Sequence, residues 1–337
     1  MKILITSEYN SRNTYVKDIV DELRAYTDVE TEVINFWKSD TFYDIIHIQW
    51  PEELFEWKTI IEEDLKKLIK RIKYLREKGS KIVLTLHNKI PHRSQTSFDE
   101  QLYKYLYNEA DIIVNLGKYS CSFYPNKKNV VIYHPNYDKH IKIERLKPSN
   151  EITFLSFGNI RRIEEEQQII NGFLKAKIPN SKLIVSNSII GKNPYYKEGK
   201  LSIKKWLYII YLKRLRSKNI LFINKKLNQD EINFYFNNAD IIISPRIDNL
   251  NSGVVFLGFS FGKPVVGPNV GNIGEFLRMT NNPTFEPRNS NSVASALKNA
   301  IQNKNIGKQN SQFSKEFLNA DKIAFEHYKL YQELSKA

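Results

Sequence analysis

Short runs of aliphatic residues recur along this chain, each bounded by polar turns and separated from the next by a segment with helical spacing. In the first half they are Lys2–Thr6, Glu32–Phe36, Tyr43–Gln49, Lys81–Leu86, Asp111–Asn115 and Val130–Tyr133. Runs that are apolar throughout, rather than alternating, belong to strands buried on both faces of a parallel sheet. The clearest helical segment is Phe55–Lys78, where Leu65, Leu68, Ile69, Ile72 and Leu75 share one face and Gly79 ends the pattern. His134–Asn150 is polar and basic and contains Pro135 and Pro148, which suits an interdomain linker. A second series follows, with strands expected at Ile152–Phe157, Leu183–Asn187, Ile220–Ile223, Asp240–Ser244 and Pro264–Gly267. Gln302–Gln312 is polar; beyond it Phe313, Phe317, Ala320, Ala324, Tyr328 and Tyr331 recur at helical spacing. The expected organisation is α/β, with two doubly wound Rossmann-like domains at 1–148 and 149–311. Residues 312–337 form a closing helix free to pack on either domain. Two such domains place the carboxyl ends of their strands at a shared cleft, where ligand residues are to be sought.

The bulk properties narrow the class. A chain of 337 residues is long enough for two cores, and 41% apolar with 26% charged residues is a globular rather than a disordered balance. No apolar run is long enough to span a bilayer. The N-terminal MKILITSEYN reads as a first strand, not a signal peptide. The single Cys121 excludes an internal disulfide framework and a Cys-rich zinc site, and a cytoplasmic location fits. The formal net charge of +14 favours anionic partners: nucleotide sugars, anionic lipid or nucleic acid. Nucleic acid is set aside, because no recognition motif accompanies the charge and the cations are spread over several helices.

The segment Asn249–Glu275 carries the most chemistry. Ser252 is a natural N-cap, Gly253–Phe261 is an uncharged helical stretch, Gly262 suits the position past its end, and Pro264 opens a buried strand. The helix thus offers unpaired N–H groups where Asn251, Ser252 and Gly253 sit, an arrangement that binds an anion such as a diphosphate.

Several ordered segments together resemble a known family. FGKPVVGPNVGNIGE is similar to the GKPVV…GG…E block of GT-B glycosyltransferases, in particular the group similar to glycosyltransferase family 4. SFGNIRRIEEEQQIINGF resembles that group's opening of the C-terminal domain. IIHIQWPEE and TLHNKIPH resemble the HxxWPE and TxHNxxPH segments of a bacterial polysaccharide-assembly subset, and SRNTYVKDIVDEL and VIYHPNY also match it. The resemblance implies sugar transfer from a UDP- or GDP-linked donor to a saccharide or polyprenyl-linked acceptor, without a metal or other cofactor. The chain also departs from the family. The two glutamates that grip the donor fall on Asn249 and Leu257, and the phosphate-binding lysine falls on Glu164, leaving Arg161 or Arg162 to meet the diphosphate.

Each candidate residue also has a bland reading. Arg161 and Arg162 follow a strand end and Gly158, and either bind phosphate oxygens or are neutralised by Glu164–Glu166. Arg246 neutralises a phosphate or pairs with Asp248. Glu275 meets a donor hydroxyl or complements a helix dipole. His87 and Asn88 close a central strand, and His92 follows in the same loop; the histidines are candidates for proton transfer or hydroxyl binding. His47, inside a strand, reads as an interior residue. Trp50 stacks on a sugar or packs the cleft wall. Glu52 is the best-placed base for an acceptor hydroxyl, with Glu8 and Asp99 as weaker rivals, and Glu8, Asn13, Trp50 and Asn88 are expected to bind the acceptor. Lys200–Lys218 is basic and aromatic, with Ile203, Trp206, Leu207 and Ile210 on one side. It is either a sheet-covering helix or a contact with the inner face of a membrane. The leading function is a glycosyltransferase; the alternative is a non-catalytic partner of the same fold that binds nucleotide or glycan without transfer.

Overall fold

The computed structural model describes residues 1–10, 14–89, 96–144, 150–192, 194–195, 202–303 and 305–336. In chain order the elements begin β1 (Lys2–Ile5), α1 (Thr14–Leu23), β2 (Asp28–Glu30), α2 (Val33–Lys38), β3 (Ile45–Ile48), α3 (Glu62–Glu77), β4 (Lys81–Leu86), α4 (Ser97–Glu109), β5 (Ile112–Asn115) and β6 (Asn129–Val131). They continue β7 (Ile152–Ser156), α5 (Ile163–Ala176), β8 (Ser181–Ser186), α6 (Ile203–Arg216), β9 (Ile220–Ile223), α7 (Gln229–Asn238), β10 (Ile241–Ile243), α8 (Gly253–Ser260), β11 (Val265–Pro268), α9 (Gly271–Met279), β12 (Thr284–Phe285), α10 (Ser290–Gln302), α11 (Ile306–Phe317) and α12 (Ala320–Lys336). The described residues form two compact units, Met1–Pro135 with Phe317–Ala337, and Asn136–Glu316.

The first unit is a parallel six-stranded sheet in the order β2-β1-β3-β4-β5-β6. Ile3 lies beside Val29 on one side and Ile45 on the other, and Val83 lies between His47 and Ile112. Tyr15, Val16, Ile19, Val20 and Leu23 of α1 pack with Ile323, Ala324, Leu330, Tyr331 and Leu334 of α12 in one core against the strands. Burying each aliphatic side chain of this kind stabilises by roughly 1.5–3 kcal/mol before the entropy of ordering is set against it. The chain's last helix is therefore part of the first unit's core.

The second unit has the order β12-β11-β10-β7-β8-β9, again wholly parallel. Phe154, Leu183, Val185, Ile220, Ile241 and Ile243 from its strands meet Ile169, Ile170 and Phe173 of α5 and Val293 and Leu297 of α10. In each sheet the chain builds outward from its first strand and then crosses to that strand's other side. β1 and β3 flank one such switch, and β7 and β10 the other, and the crevice at the carboxyl end of a switch is where open α/β sheets hold ligands.

Two expectations change, and two polar stretches gain structure. Glu32–Phe36 is not a strand: Glu32 takes a φ of 85°, which no strand residue adopts, and Val33–Lys38 turns into α2 with Phe36 buried. The long helix over Phe55–Lys78 is shorter at its start, because Glu56 and Trp57 have φ of 54° and 61°. α3 begins after Ile61, whose N–H donates to Asp64, and Ile69 of the expected face is exposed. The expected linker over His134–Asn150 is tied down along its first part. Asn136 donates to Ser314 O, Tyr137 N to Ser260 Oγ, and Lys142 N and Glu144 N to Asn233 and Asn237, so 136–144 is laced onto the second unit. The polar Gln302–Gln312 contributes most of α11, with Asn310 buried and bonded to Asn282 and Lys263 O.

His47 is fully buried in β3, with Nδ1 2.6 Å from Tyr331 Oη and Nε2 2.7 Å from Thr85 Oγ1. Burial, with nearby His327 and His87 adding to it, holds its pKa well below the usual histidine range. His327 of α12 is equally buried, and its Nε2 has no hydrogen-bond partner among the described residues. Burial lowers its pKa to about 3. The unfolded chain therefore takes up a proton on His327 below the usual value of 6.5 while the folded protein does not, and stability falls as pH drops through that window. His327→Leu should lessen the stability lost between pH 6.5 and pH 5 by roughly 2 kcal/mol, read by urea unfolding at the two pH values. An unchanged pH dependence would show that this imidazole is not held neutral by burial.

Candidate functional site

At the β7/β10 switch of the second unit three segments converge. Gly158, just past β7, has φ of 127°, and a Cβ there would lie 3.3 Å from Val254 Cγ2 and 3.9 Å from Pro245 Cδ. The loop after β7 therefore rests on the first turn of α8 and on the segment leaving β10. Ser252 occupies the N-cap position of α8 but makes no cap hydrogen bond; its Oγ is 3.2 Å from Ser244 Oγ at the end of β10. The helix's first N–H groups are thus not satisfied by that side chain, which leaves the helix start suited to an anion. Gly253 is favoured by contact rather than by φ. A Cβ there would stand 2.6 Å from Tyr137 Oη, so the absence of a side chain lets the Tyr137 hydroxyl reach the first turn of α8. Asn251 accepts from Asn272 Nδ2 at 2.8 Å, and Asn272 N donates to Leu250 O, fixing the loop before α8 to the start of α9.

The arginines are not alike. Arg246 is buried, its Nε 3.0 Å from Glu165 and its Nη2 bonded to Asp248 at 3.2 Å and Asn249 at 2.5 Å. It ties the loop together through these partners, which include the Asp248 pairing that its sequence position also allowed. Arg162 is exposed and its guanidinium pairs with Asp248 at 2.5 Å. Arg161 is exposed at the same loop, and its backbone N–H donates to Glu165 at 2.9 Å. Glu275 is half-buried in the second turn of α9. Leu257, where the family pattern has a glutamate, is buried in α8.

In the first unit the β1/β3 switch is built by Ser7 and Glu8 after β1 and by a 3-10 turn over Pro51–Phe55 after β3. Three residues per turn send neighbouring side chains about 120° apart, so Glu52 and Glu53 point differently. Glu52 is buried and accepts from Tyr103 Oη of α4 at 2.5 Å, a placement that occupies the carboxylate assigned to the base. Glu53 lies at the switch: it accepts from Ser7 Oγ at 2.9 Å and Glu8 N at 3.1 Å, and its second oxygen has no partner among the described residues. Burial lifts its pKa to about 7, the Glu8 N–H and Ser7 hydroxyl pull it down, and the charges of Glu8 and Glu32 raise it further. Sequence reasoning missed Glu53 and Tyr137; the adjacent pair in WPEE is the only signal for the former.

His87, past β4, stacks on Trp50, with ring centroids 4.1 Å apart, and its Nε2 is 3.0 Å from Gln49 Oε1. Tyr15 meets both rings edge-on. Trp50 therefore has one face covered by His87. Asn88 O accepts from Tyr107 Oη at 3.3 Å, and Asp99 caps α4 together with Thr96. Glu8 is exposed and, with Glu32, Trp37, Lys38 and Lys67, lines an open cavity of about 560 Å³. His92 and Asn13 lie outside the described residues. Among the described residues no group of three or more His, Cys, Asp or Glu side chains could hold a metal ion, and no helix is long and apolar enough to cross a membrane.

Two parallel Rossmann-like units in one chain, each with a switch-point crevice, are the fold of the GT-B glycosyltransferases. A sucrose-phosphate synthase from Thermosynechococcus elongatus is similar over 99% of both chains, with TM-score 0.71 and 14% identity. HepE from Anabaena, solved in complex with UDP and glucose, has TM-score 0.67 and 14% identity, over 99% of this chain and 100% of that one. A glycosyltransferase from Rickettsia africae has TM-score 0.66 and 14% identity, over 99% and 98%. No family model and no curated protein sequence matches the chain.

The raised pKa of Glu53 has a definite sign. Between its usual value of 4.5 and about 7 the folded protein keeps a proton that the unfolded chain has released. Its contribution is thus lost as pH rises through that window, by up to about 3 kcal/mol. Glu53→Gln keeps an acceptor for Ser7 and Glu8 without a charge. Its stability relative to wild type should rise by about 2–3 kcal/mol from pH 5 to pH 8, measured by thermal or urea unfolding. Parallel pH profiles would mean that the carboxyl is ionised at neutral pH without penalty.

Proposed function

We propose that this protein is a glycosyltransferase that moves a sugar from a nucleoside-diphosphate donor to a hydroxyl of a saccharide or lipid-linked saccharide acceptor. The observation that carries the reading is the start of α8 at the β7/β10 switch, uncapped by Ser252 and approached by the Tyr137 hydroxyl across Gly253. Helix N–H groups and a hydroxyl suit diphosphate oxygens, and the fold relative HepE was solved with UDP and glucose. Asn251, Ser252 and Gly253 form the phosphate cradle in this reading, Arg161 and, on exchanging Asp248 for phosphate, Arg162 supply positive charge beside it, and Glu275 meets a donor hydroxyl. The leaving nucleoside diphosphate is stabilised by these donors and cations, so the proposed step does not call on a metal.

The acceptor belongs to the first unit. Glu8 and the cavity it lines, with Trp50 and Asn88, are the proposed acceptor surface, and Asn13 is retained as an acceptor-binding residue from the sequence alone. Glu53 replaces Glu52 as the proposed base: its surroundings suit proton uptake near neutral pH, whereas Glu52 is held by Tyr103. His87 and His92 are the remaining proposed proton carriers. A bacterial surface-polysaccharide role follows from the sequence resemblance. A second reading, nucleotide binding without transfer, is favoured by the commitment of Arg246 to Glu165, Asp248 and Asn249 in place of phosphate.

A thermal-shift panel of UDP, GDP, CMP and their sugar conjugates tests the donor site. A ligand at about a hundred times its dissociation constant stabilises the folded state by roughly 2.7 kcal/mol, a readily measured shift. One nucleotide class should produce it, and Ser252→Trp should abolish it by filling the helix start. No shift with any nucleotide would sink the transferase reading. With the donor known, Glu53→Gln should retain the nucleotide shift and lower kcat by about 10²–10⁴. A nucleotide shift with no transfer by the wild type would select the second reading.

A further inference from the structure

Helix α6 uses two apolar faces where a sheet-covering helix needs one. Leu212 and Leu215 are buried, and Tyr208 packs against the second unit's core. On the opposite side Ile203, Trp206, Leu207 and Ile210 stand exposed at 76%, 66%, 59% and 43%. Their spacing, i, i+3, i+4 and i+7, makes one stripe along the outward face. Lys213 and Arg214, both exposed, continue the same line one turn later. Ile203–Arg216 contains Lys204, Lys205, Lys213, Arg214 and Arg216 and no acidic residue. Exposed apolar residues scattered singly need no explanation, but four in one stripe on a wholly basic helix do.

We propose that the outward face of α6 is a docking surface for an anionic lipid bilayer. The chemistry favours that occupant. A bilayer interface accepts the Ile, Trp and Leu side chains at the acyl boundary, and the indole N–H of Trp suits the headgroup level. Lysine and arginine stems lie along such a surface while their charges reach lipid phosphates, and each cation adds attraction to an anionic leaflet. The surface is independent of the nucleotide site, so its failure and that of the transferase reading are separately visible.

The test is sedimentation of the full chain with phosphatidylcholine vesicles, with and without phosphatidylglycerol. Wild type should sediment with the anionic vesicles and stay in solution with the neutral ones. Lys213→Glu with Arg214→Glu should weaken partition roughly thirtyfold or more, because two surface cations are lost and reversed. Trp206→Ser with Leu207→Ser keeps every charge and should weaken it at least about tenfold, through lost apolar burial. Both variants should keep the wild-type circular dichroism, since the changed side chains are exposed. Wild-type protein that ignores anionic vesicles overturns the proposal, as does either variant binding them like wild type. So does a wild-type dimer that the Trp206/Leu207 variant converts to monomer, which would make the stripe a contact between copies of this chain.

Discussion

Loops that leave neighbouring parallel strands in the same direction have no ladder to hold them together, and in each unit a buried glutamate supplies the tie. In the second unit Glu165 is fully buried and accepts from the backbone of Arg161 and Arg162, after β7, and from the guanidinium of Arg246, after β10. In the first unit Glu53 accepts from Ser7 and Glu8, after β1, while sitting on the turn that follows β3. Both carboxylates bridge a strand switch, so both fix the crevice where a ligand would lie. Their partners differ. Glu165 meets a positive charge that compensates its burial, whereas Glu53 meets only neutral donors and is pushed toward its protonated form. The same structural device thus gives a charge-paired tie in one unit and, in the other, a tie whose carboxyl has no cation against it.

The parallel sheets were legible because strands buried on both faces leave unbroken aliphatic runs such as KIVLTL and IIVN. Single-residue backbone choices were not. Nothing in TEVINFW announces that Glu32 turns to positive φ and that the next six residues coil, since the β-branched residues suit a strand equally well. The carboxyl edges were legible as places, and less so as contacts. Ser252 falls at the start of a helix as its sequence suggests, but its hydroxyl is turned to Ser244, 3.2 Å away. Arg246 reads as a phosphate ligand or a partner of Asp248, and its bond to Glu165, far away in the sequence, is in neither reading. WPEE offers two carboxylates, and only the 3-10 geometry decides which one faces Tyr103 and which the end of β1. Helix α6 shows the limit of periodicity: the pattern gives an apolar side, but the side that meets the core is the one with Leu212 and Leu215.

Buried histidines add a theme to the first unit. His47, His134 and His327 are all held below their usual pKa by burial, and the first lies between Tyr331 of the final helix and Thr85 of β4. A neutral imidazole can accept at one nitrogen and donate at the other, which lets His47 join a helix hydroxyl and a strand hydroxyl through the sheet. Gln49 links the same strand to His87 at the carboxyl edge. The packing of α12 is thereby connected, through named polar groups, to the orientation of a residue at the candidate site.

The position of α12 also orders events during synthesis. Tyr331 completes the bond to His47, and Ile323, Ala324, Leu330 and Leu334 complete the core around α1, yet all of them are synthesised after the whole of the second unit. The second unit lies wholly between Asn136 and Glu316 and can close on itself earlier. The unit whose strands are made first therefore completes its core only after the second unit has been synthesised, and until then the side of α1 that meets α12 is uncovered.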